Sequence, residues 1–226
     1  MDKSDYKANL IELMAQSGVL MFGDFTTKSG RKSPYFINSG YYKTGQQAEL
    51  LSTYYAALIN ERLKGSFDVL FGPAYKGIPL CTLTATALYR LYNIDAGYCF
   101  NRKEIKDHGD GGLFVGWQPK DGDSFLIVED VISAGTSVRE VYPLLKSAAN
   151  VSITDMVISV DRMEMGYNGL TAVEEVKKEF GITVHPLVTV FEIIEYLHNR
   201  EIEGRIYIDD EIKRKMVSYV EQYCSK

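Results

Sequence analysis

Apolar and polar positions follow one another along this 226-residue chain in a pattern that alternates between strands and helices. Short apolar runs have the length of buried strands, and longer segments carry apolar residues at helical spacing. Such alternation predicts an α/β fold, in which a central, mainly parallel sheet is flanked by helices and ligands bind at the carboxyl ends of the strands. The predicted strands are 67–71, 96–100, 125–128, 156–160 and 184–188, and the predicted helices are 4–17, 45–63, 78–91, 170–180, 190–197 and two that begin near 136 and 209.

The N-terminal region predicts a helix and then a hairpin. Residues 19–25 have an extended pattern, Gly30 marks a turn, and Pro34 favours an extended backbone before it. We expect residues 1–44 to form a small hood on a single domain that spans residues 1–226. The hairpin is basic, but lysines are also common on exposed strand edges, so its charge alone does not indicate a ligand.

The most informative stretch is FLIVEDVISAGTSVRE, residues 125–140. Its apolar start predicts a central strand buried on both faces, and two acids, Glu129 and Asp130, follow where the apolar run stops. A loop of small and hydroxyl residues then leads into a helix with an apolar face, whose members are Val138, Val141 and Leu145. The stretch therefore predicts the order strand, acidic pair, small-residue loop, helix.

This order suits a sugar phosphate. Free N–H groups at a helix N-terminus bind anions, so Gly135, Thr136 and Ser137 would hold a phosphate. Carboxylates accept hydrogen bonds from vicinal hydroxyls, so Glu129 and Asp130 would lie against a ribose. The alternative is an ordinary strand-to-helix turn in which Ser133 or Thr136 caps the helix and the acids are solvated.

Two further loops have a composition that suits anions. The loop GPAYKG, residues 72–77, offers backbone donors and the cation Lys76 to a second anionic group, although short strand-to-helix loops are common in any case. Residues 101–112 contain three cations, a histidine and three glycines, with almost nothing apolar. We expect a mobile loop there, although a charged run is usually a solvated surface, and no G-K-[ST] ending indicates a P-loop.

Composition narrows the class of protein. Cys81, Cys99 and Cys224 are far apart, which fits a reducing compartment and argues against a zinc site or a disulfide framework. No stretch reaches the ~18 apolar residues of a spanning helix, and the N-terminus is too polar for a secretory signal, so we expect a cytoplasmic protein without membrane association. The net charge of −5 argues against nucleic-acid binding.

Residues 125–140 resemble the phosphoribosyl diphosphate (PRPP) motif of the type I phosphoribosyltransferases. Three other segments resemble the further signatures of the orotate phosphoribosyltransferase family, in the same order: FTTKSGRKSPYFINSGY (25–41), FGPAYKGIP (71–79) and FNRKEIKDHGDGG (100–112). The resemblance implies the type I fold and the conversion of orotate and PRPP to orotidine 5-phosphate and pyrophosphate in pyrimidine biosynthesis. It also implies Mg²⁺, held mainly through PRPP and water rather than by direct protein ligands, and a homodimer whose sites are shared across the interface.

The resemblance also assigns roles to residues. It implies that a hairpin lysine, the pyrophosphate loop, the mobile loop and the central motif bind PRPP: Lys28, Tyr75, Lys76, Arg102, Lys103, Lys106, His108, Glu129, Asp130, Val131, Ile132, Ser133, Ala134, Gly135, Thr136 and Ser137. The implied catalytic residues are Arg102, Lys103, Lys106, His108 and Asp130. The implied orotate-binding residues are Tyr35, Phe36, Ser133 and Arg162. His108 has two open roles, proton transfer and pyrophosphate binding.

Three rival functions remain at this stage. A phosphoribosyltransferase for adenine, uracil or xanthine would use the same central motif, but Lys28, the Lys106–His108 segment and Arg162 argue against it. A regulator that keeps the fold and binds nucleic acid is disfavoured by the acidic balance. A structural α/β interaction protein would show no PRPP-dependent pyrophosphate release. Without the resemblance, Arg162 would be interpreted as a surface partner of Glu164.

Overall fold

The computed structural model describes residues 5–27, 30–104, 112–132, 135–166 and 168–225. Strands and helices alternate as the sequence predicts. In chain order the elements are α1 (Asp5–Gln16), β1 (Leu20–Thr26), β2 (Lys32–Ile37), α2 (Gly45–Arg62), β3 (Val69–Gly72), α3 (Gly77–Tyr92), β4 (Gly97–Asn101), β5 (Phe114–Gly116), β6 (Ser124–Val131), α4 (Thr136–Ala148), β7 (Ser152–Asp161), α5 (Ala172–Phe180), β8 (Thr183–Thr189), α6 (Val190–Leu197), β9 (Glu201–Ile202), β10 (Arg205–Ile206) and α7 (Asp210–Tyr223).

Six strands form the main sheet, in the order β5-β4-β3-β6-β7-β8. All neighbours are parallel except β5, which pairs antiparallel with β4. The mainly parallel sheet is therefore confirmed, and β6 lies in its interior between β3 and β7. The sequence did not predict β5, because three residues after a glycine-rich segment are too few to show a strand period.

The two faces of the sheet bury alternate residues of β6, as a strand requires. Leu126 and Val128 face a core that includes residues of α1, α2, α3, α6 and α7. Phe125 and Ile127 face the opposite core, which includes residues of α4 and α5. The predicted apolar face of α4 is confirmed, since its buried residues are Val138, Val141 and Leu145.

The N-terminal hairpin is present, with β1 antiparallel to β2. Leu10 of α1 and Tyr35 of β2 belong to the same core as Val160 of the main sheet. The hairpin also contacts α7, near the C-terminus. These elements therefore share their core with the rest of the chain, and the division of residues 1–44 as a hood stays a prediction.

The C-terminal region differs from expectation in one place. Between α6 and α7, where the sequence predicts neither a strand nor a helix, β9 and β10 form a short antiparallel hairpin. Helix α6 begins directly after β8 because the Thr189 side chain accepts a hydrogen bond from the Glu192 amide in a capping box. None of the helices in the described ranges is long and apolar enough to cross a bilayer.

Candidate active site

The acidic pair lies inside strand β6. The sequence placed Glu129 and Asp130 after the strand, but β6 continues through both residues to Val131. Their exposed fractions are 7% and 9%, so the alternative of solvated acids is wrong. Two adjacent carboxylates are thus held within the sheet at the carboxyl end of a central strand, where α/β proteins bind ligands.

Burial gives the two carboxyl groups different pKa values. For Glu129, burial and then the negative charge of Asp130 raise the pKa to about 8. Burial also acts to raise the pKa of Asp130, but a hydrogen bond from Ser39 and the positive charge of Lys76 outweigh it, so that pKa lies below its ordinary value. At neutral pH Asp130 is therefore the ionised member of the pair.

Three groups from different parts of the chain contact Asp130. The Ser39 hydroxyl donates a hydrogen bond to Asp130 Oδ2, and Lys76 Nζ lies 3.2 Å from the same oxygen. The Val131 amide donates to Asp130 Oδ1 over 2.8 Å. Ser39 follows the N-terminal hairpin and Lys76 precedes α3, so both segments meet at the acidic pair.

The loop between β3 and α3 is held tightly against its own helix. A side-chain carbon on Gly72 would lie 2.2 Å from the Gly77 carbonyl oxygen, so glycine is required there. The Ala74 amide donates to the Asn101 side chain over 3.1 Å, which links this loop to the end of β4. Tyr75 is 69% exposed, and it projects from the loop.

Two cations of the 101–112 segment are described. Lys103 Nζ lies 5.4 Å from the centre of the Tyr75 ring, a cation–π contact that joins the two predicted PRPP loops. Arg102 Nη1 donates to the Gly112 carbonyl over 3.0 Å and its amide donates to the Leu113 carbonyl over 2.7 Å. These contacts hold the two ends of the segment together.

Helix α4 begins immediately beyond the acidic pair. Gly135 precedes it with a φ of 65°, and among the described residues no side chain caps this end of the helix. The capping alternative therefore does not apply to Thr136, which is exposed. Ser137 is half-buried and its hydroxyl reaches Glu129. Since the first amides of a helix lack intrahelical partners, this end can receive an anion. Ile132 is buried beside it.

Arg162 lies one residue beyond β7, the neighbour of β6. Its Nε and Nη2 donate to Glu164 Oε1 over 2.8 and 2.5 Å, and its guanidinium carbon lies 4.4 Å from the centre of the Tyr35 ring. The pair with Glu164 is present, but it is not at the surface, because the two side chains are only 16% and 19% exposed. Arg162 therefore has a fixed position beside the carboxyl end of β6.

The two aromatic residues of β2 lie on opposite faces. Tyr35 is fully buried beneath Arg162. Phe36 is half-buried and stacks on Phe25, with ring centres 5.5 Å apart. The structure thus does not bring the two rings to one side, because successive residues of a strand point in opposite directions.

Several predicted site residues lie outside the described ranges. They are Lys28 of the hairpin, Lys106 and His108 of the 101–112 segment, and Ser133 and Ala134 of the central motif. Their assigned roles stay predictions. The described part of the site consists of the acidic pair, the 72–77 loop, the start of α4 and four further predicted residues with Arg162: Tyr35, Phe36, Arg102 and Lys103.

The structure adds residues that the sequence did not indicate. Ser39 contacts Asp130, and the buried Tyr55 hydroxyl donates to the Glu129 carbonyl over 2.8 Å. Tyr219 of α7 donates to the Glu164 carboxylate over 2.8 Å. These partners are 55 to 91 residues apart in the chain, so no local pattern could have revealed them.

The donor set bears on metal binding. Among the described residues, no group of three or more His, Cys, Asp or Glu side chains converges as a metal site. The hard oxygen donors present are the carboxylates of Glu129 and Asp130, which suit a cation that keeps most of its ligands as water. The pair therefore fits a magnesium ion that a phosphorylated ligand carries.

Comparisons with known proteins agree on one family. The family described as phosphoribosyl transferase domain matches residues 39–181. The orotate phosphoribosyltransferase of Clostridium beijerinckii is 51% identical over 98% of this chain and 99% of its own. The crystal structure of orotate phosphoribosyltransferase from Francisella tularensis has a TM-score of 0.81 and 38% identity, covering 95% of this chain and 98% of that chain.

A more distant structure shares the fold. The orotate phosphoribosyltransferase of Mycobacterium tuberculosis, solved in complex with PRPP, has a TM-score of 0.62 at 18% identity and covers 83% of this chain and 98% of that chain. The type I phosphoribosyltransferase fold expected from the central motif is thus confirmed. With sequence relatives near half identity over almost the full length, the chain belongs to the orotate phosphoribosyltransferase family.

Proposed function

We propose that this protein transfers the 5-phosphoribosyl group of PRPP to orotate, giving orotidine 5-phosphate and pyrophosphate in the de novo synthesis of pyrimidine nucleotides. One observation carries the proposal. The buried acidic pair of β6 lies between the open start of α4 and Lys76, and Arg162 follows the adjacent strand. These groups match the phosphate, hydroxyl and pyrophosphate parts of PRPP and the carboxylate of orotate.

The ribose 5-phosphate part of PRPP fits β6 and α4. Amides at the start of α4, near Thr136 and Ser137, receive the 5-phosphate with the positive end of the helix dipole behind them. Asp130 stays ionised and accepts hydrogen bonds from the ribose hydroxyls, and Glu129 beside it supplies further acceptor oxygens. The sugar is thus oriented by strand and helix together.

The pyrophosphate part fits the 72–77 loop. Lys76 lies at the acidic pair and would bind an anion there, and the Lys103 ammonium lies over Tyr75 in the same region. Departure of pyrophosphate leaves positive charge on the ribose ring and builds negative charge on the leaving group. Cations over that group stabilise the transition state more than the ground state. We assign Arg102, Lys103, Lys106 and His108 to this step.

The orotate carboxylate fits Arg162. A guanidinium binds a carboxylate with two parallel hydrogen bonds, which a lysine does less well. The buried Tyr35 ring supports Arg162 from below. Ser133 and Phe36 complete the proposed base site. An unsubstituted uracil has no carboxylate and would leave the guanidinium without a partner, which disfavours it as a substrate.

We further propose that Mg²⁺ is required and that Glu129 and Asp130 would help to hold it without binding it directly. When bound, the ion neutralises charge on pyrophosphate and makes it a better leaving group. The residues of this chain supply the rest: Lys76 and the cationic segment hold the leaving group, and closure of that segment would exclude water from the reacting carbon.

We also propose a homodimer in which the cationic segment completes the partner subunit's site. Exposed aromatic side chains near β4 and β5 support an interface there: Tyr98 and Trp117 are 41% and 40% exposed, and Tyr89 of α3 is 59% exposed. Exposed apolar patches of this kind mark protein interfaces. We propose a cytoplasmic location, which the three cysteines support, since all are buried and free.

The test is to follow orotate consumption by ultraviolet absorbance with PRPP and Mg²⁺, with uracil, adenine and xanthine in parallel. Of the four bases, we expect only orotate to be consumed, with release of one pyrophosphate for each orotate. Omission of Mg²⁺ should abolish turnover. Preference for another base would refute the proposed substrate, and the absence of PRPP-dependent pyrophosphate release with every base would refute the activity.

A further inference from the structure

The C-terminal helix holds the arginine of the proposed orotate site. Tyr219 of α7 donates a hydrogen bond over 2.8 Å to Glu164 Oε1, the oxygen that also accepts both hydrogen bonds from Arg162. Tyr219 is 4% exposed, so water does not compete for this bond. One carboxylate oxygen therefore joins the end of the chain to the guanidinium.

The contacts of Glu164 fix one edge of the Arg162 guanidinium. Nε and Nη2 are directed to Glu164, whereas Nη1 has no hydrogen-bond partner among the described residues. The Tyr35 ring covers one face of the guanidinium plane. A second carboxylate can thus approach only the end of the guanidinium that carries Nη1, which is a directional restriction on the ligand.

The backbone around Glu164 is also held by the C-terminus. Glu164 forms an antiparallel bridge with Cys224, and the Ser225 amide donates to the Met163 carbonyl over 2.9 Å. The Cys224 thiol lies 3.4 Å from the Arg162 carbonyl oxygen. From the hairpin side, Arg31 Nη2 donates to the Met165 carbonyl over 2.7 Å. The loop after β7 is therefore held from two sides, by the C-terminal segment and by the N-terminal hairpin.

We propose that Tyr219 is a positioning residue for the base: through Glu164 it orients Arg162 so that the free end of the guanidinium donates hydrogen bonds to the substrate carboxylate. The inference rests on the proposed function and adds a residue to it. The hydroxyl acts as a donor throughout the assay range, because burial and the bond to Glu164 raise the pKa of Tyr219 to about 12. Its effect should be confined to the base, since it contacts Glu164, Arg162 and the aromatic rings of Tyr35 and Tyr223.

The experiment compares Tyr219→Phe with a matched control, Tyr196→Phe. The Tyr196 hydroxyl also donates to a glutamate, Glu12 Oε1 over 2.6 Å, but it lies on α6 and has no contact with Arg162. Both variants lose one tyrosine–glutamate hydrogen bond and should unfold at similar temperatures. We expect Tyr219→Phe to raise the KM for orotate by roughly 3- to 10-fold, with the KM for PRPP unchanged. Tyr196→Phe should leave both KM values at the wild-type level.

A double variant separates positioning from general loosening. In an Arg162→Lys background, adding Tyr219→Phe should change the KM for orotate by less than about 2-fold, because the two residues act through one guanidinium. Multiplicative effects would overturn the inference, as would equal increases in both KM values or the same result from Tyr196→Phe. If the wild-type protein consumes no orotate, the proposed function itself is refuted; a wild-type protein that is active and insensitive to Tyr219→Phe refutes only the role of Tyr219.

Discussion

Replacement of Glu129 by glutamine should stabilise the protein at alkaline pH and weaken its binding of PRPP. Glutamine keeps the shape of the side chain and an acceptor oxygen for the Asp130 amide, which donates to Glu129 over 3.1 Å. It removes the negative charge that burial and Asp130 oppose. The effect should depend on pH, because the wild-type carboxyl group is neutral in the folded protein under conditions where it is ionised in the unfolded chain.

The sign follows from the direction of the pKa change. The folded-state pKa of Glu129 is raised from 4.5 to about 8, so the folded protein holds this proton more tightly than the unfolded chain. That contribution to stability is fully present below pH 4.5 and is lost as the pH rises through 8. Asp130 has a lowered pKa, so its contribution is lost only in acid, as the pH falls through its folded pKa, outside this window.

The difference between the unfolded and folded pKa values of Glu129, 4.5 and about 8, sets an upper limit of about 5 kcal/mol for the stability lost above pH 8. The two carboxyl groups titrate together and lie near the open end of the strand, so a loss of about 2 kcal/mol is the figure we expect. For a chain of this length that corresponds to roughly 4 to 8 °C in Tm. The gain from Glu129→Gln should therefore appear between pH 6 and 9 and vanish near pH 5.

The assay is thermal unfolding of both proteins from pH 5 to 9, with Asp68→Asn as the control. Asp68 is an exposed carboxylate whose pKa is lowered by hydrogen bonds to Ser124, so its loss should shift Tm by the same amount at every pH in this range. Parallel curves for wild type and Glu129→Gln would refute the reasoning. At pH 8, where the wild-type carboxylate is available to the ribose hydroxyls, the KM for PRPP should rise in Glu129→Gln.

Three further predictions test the surrounding structure. Gly72→Ala should lower the free energy of unfolding by about 3 kcal/mol in urea denaturation, because its new carbon would meet the Gly77 carbonyl oxygen; a smaller loss than 1 kcal/mol would contradict the close packing. Tyr55→Phe should cost about 1 to 2 kcal/mol in the same measurement, since the Glu129 carbonyl loses its buried hydroxyl donor. Arg162→Ala should raise the KM for orotate by roughly 10- to 100-fold and that for PRPP much less; equal effects would remove Arg162 from the base site.

Local sequence patterns were sufficient for five of the six strands of the main sheet, all but β5. The β-branched run at 125–128 indicated a central strand because a strand buried on both faces has no polar positions. The same rule made the predicted β6 too short at its carboxyl end. Glu129 and Asp130 are charged, so the pattern ended the strand before them, whereas the structure buries both and extends it to Val131. Charged residues inside a strand interrupt the apolar pattern, and such exceptions are expected where a site binds a ligand.

The contacts that the sequence did not predict have one physical feature in common. Tyr219 and Glu164 are 55 residues apart, and Ser39 and Asp130 are 91 apart. Each pair depends on tertiary packing, and neither a serine after a hairpin nor a tyrosine on the apolar side of a helix differs from an ordinary surface or core residue in sequence. The chain after residue 165 therefore carried no recognisable chemistry in sequence, although α7 supports the loop that holds Arg162.

The acidic pair is already arranged for its ligand before the ligand binds. An ionised carboxylate offers about four acceptor positions. Asp130 uses three of them, for Ser39, Lys76 and the Val131 amide, and these contacts fix its plane. Glu129 accepts a hydrogen bond from the Asp130 amide. The acceptor positions that these bonds leave free can accept hydrogen bonds from hydroxyl groups of a ligand. Ser39 and Lys76 come from the two loops that border the proposed sugar and pyrophosphate sites. A ligand that spans both loops would meet donors and acceptors that are already oriented, so binding would cost no further entropy for ordering them. This favours PRPP over ribose 5-phosphate alone.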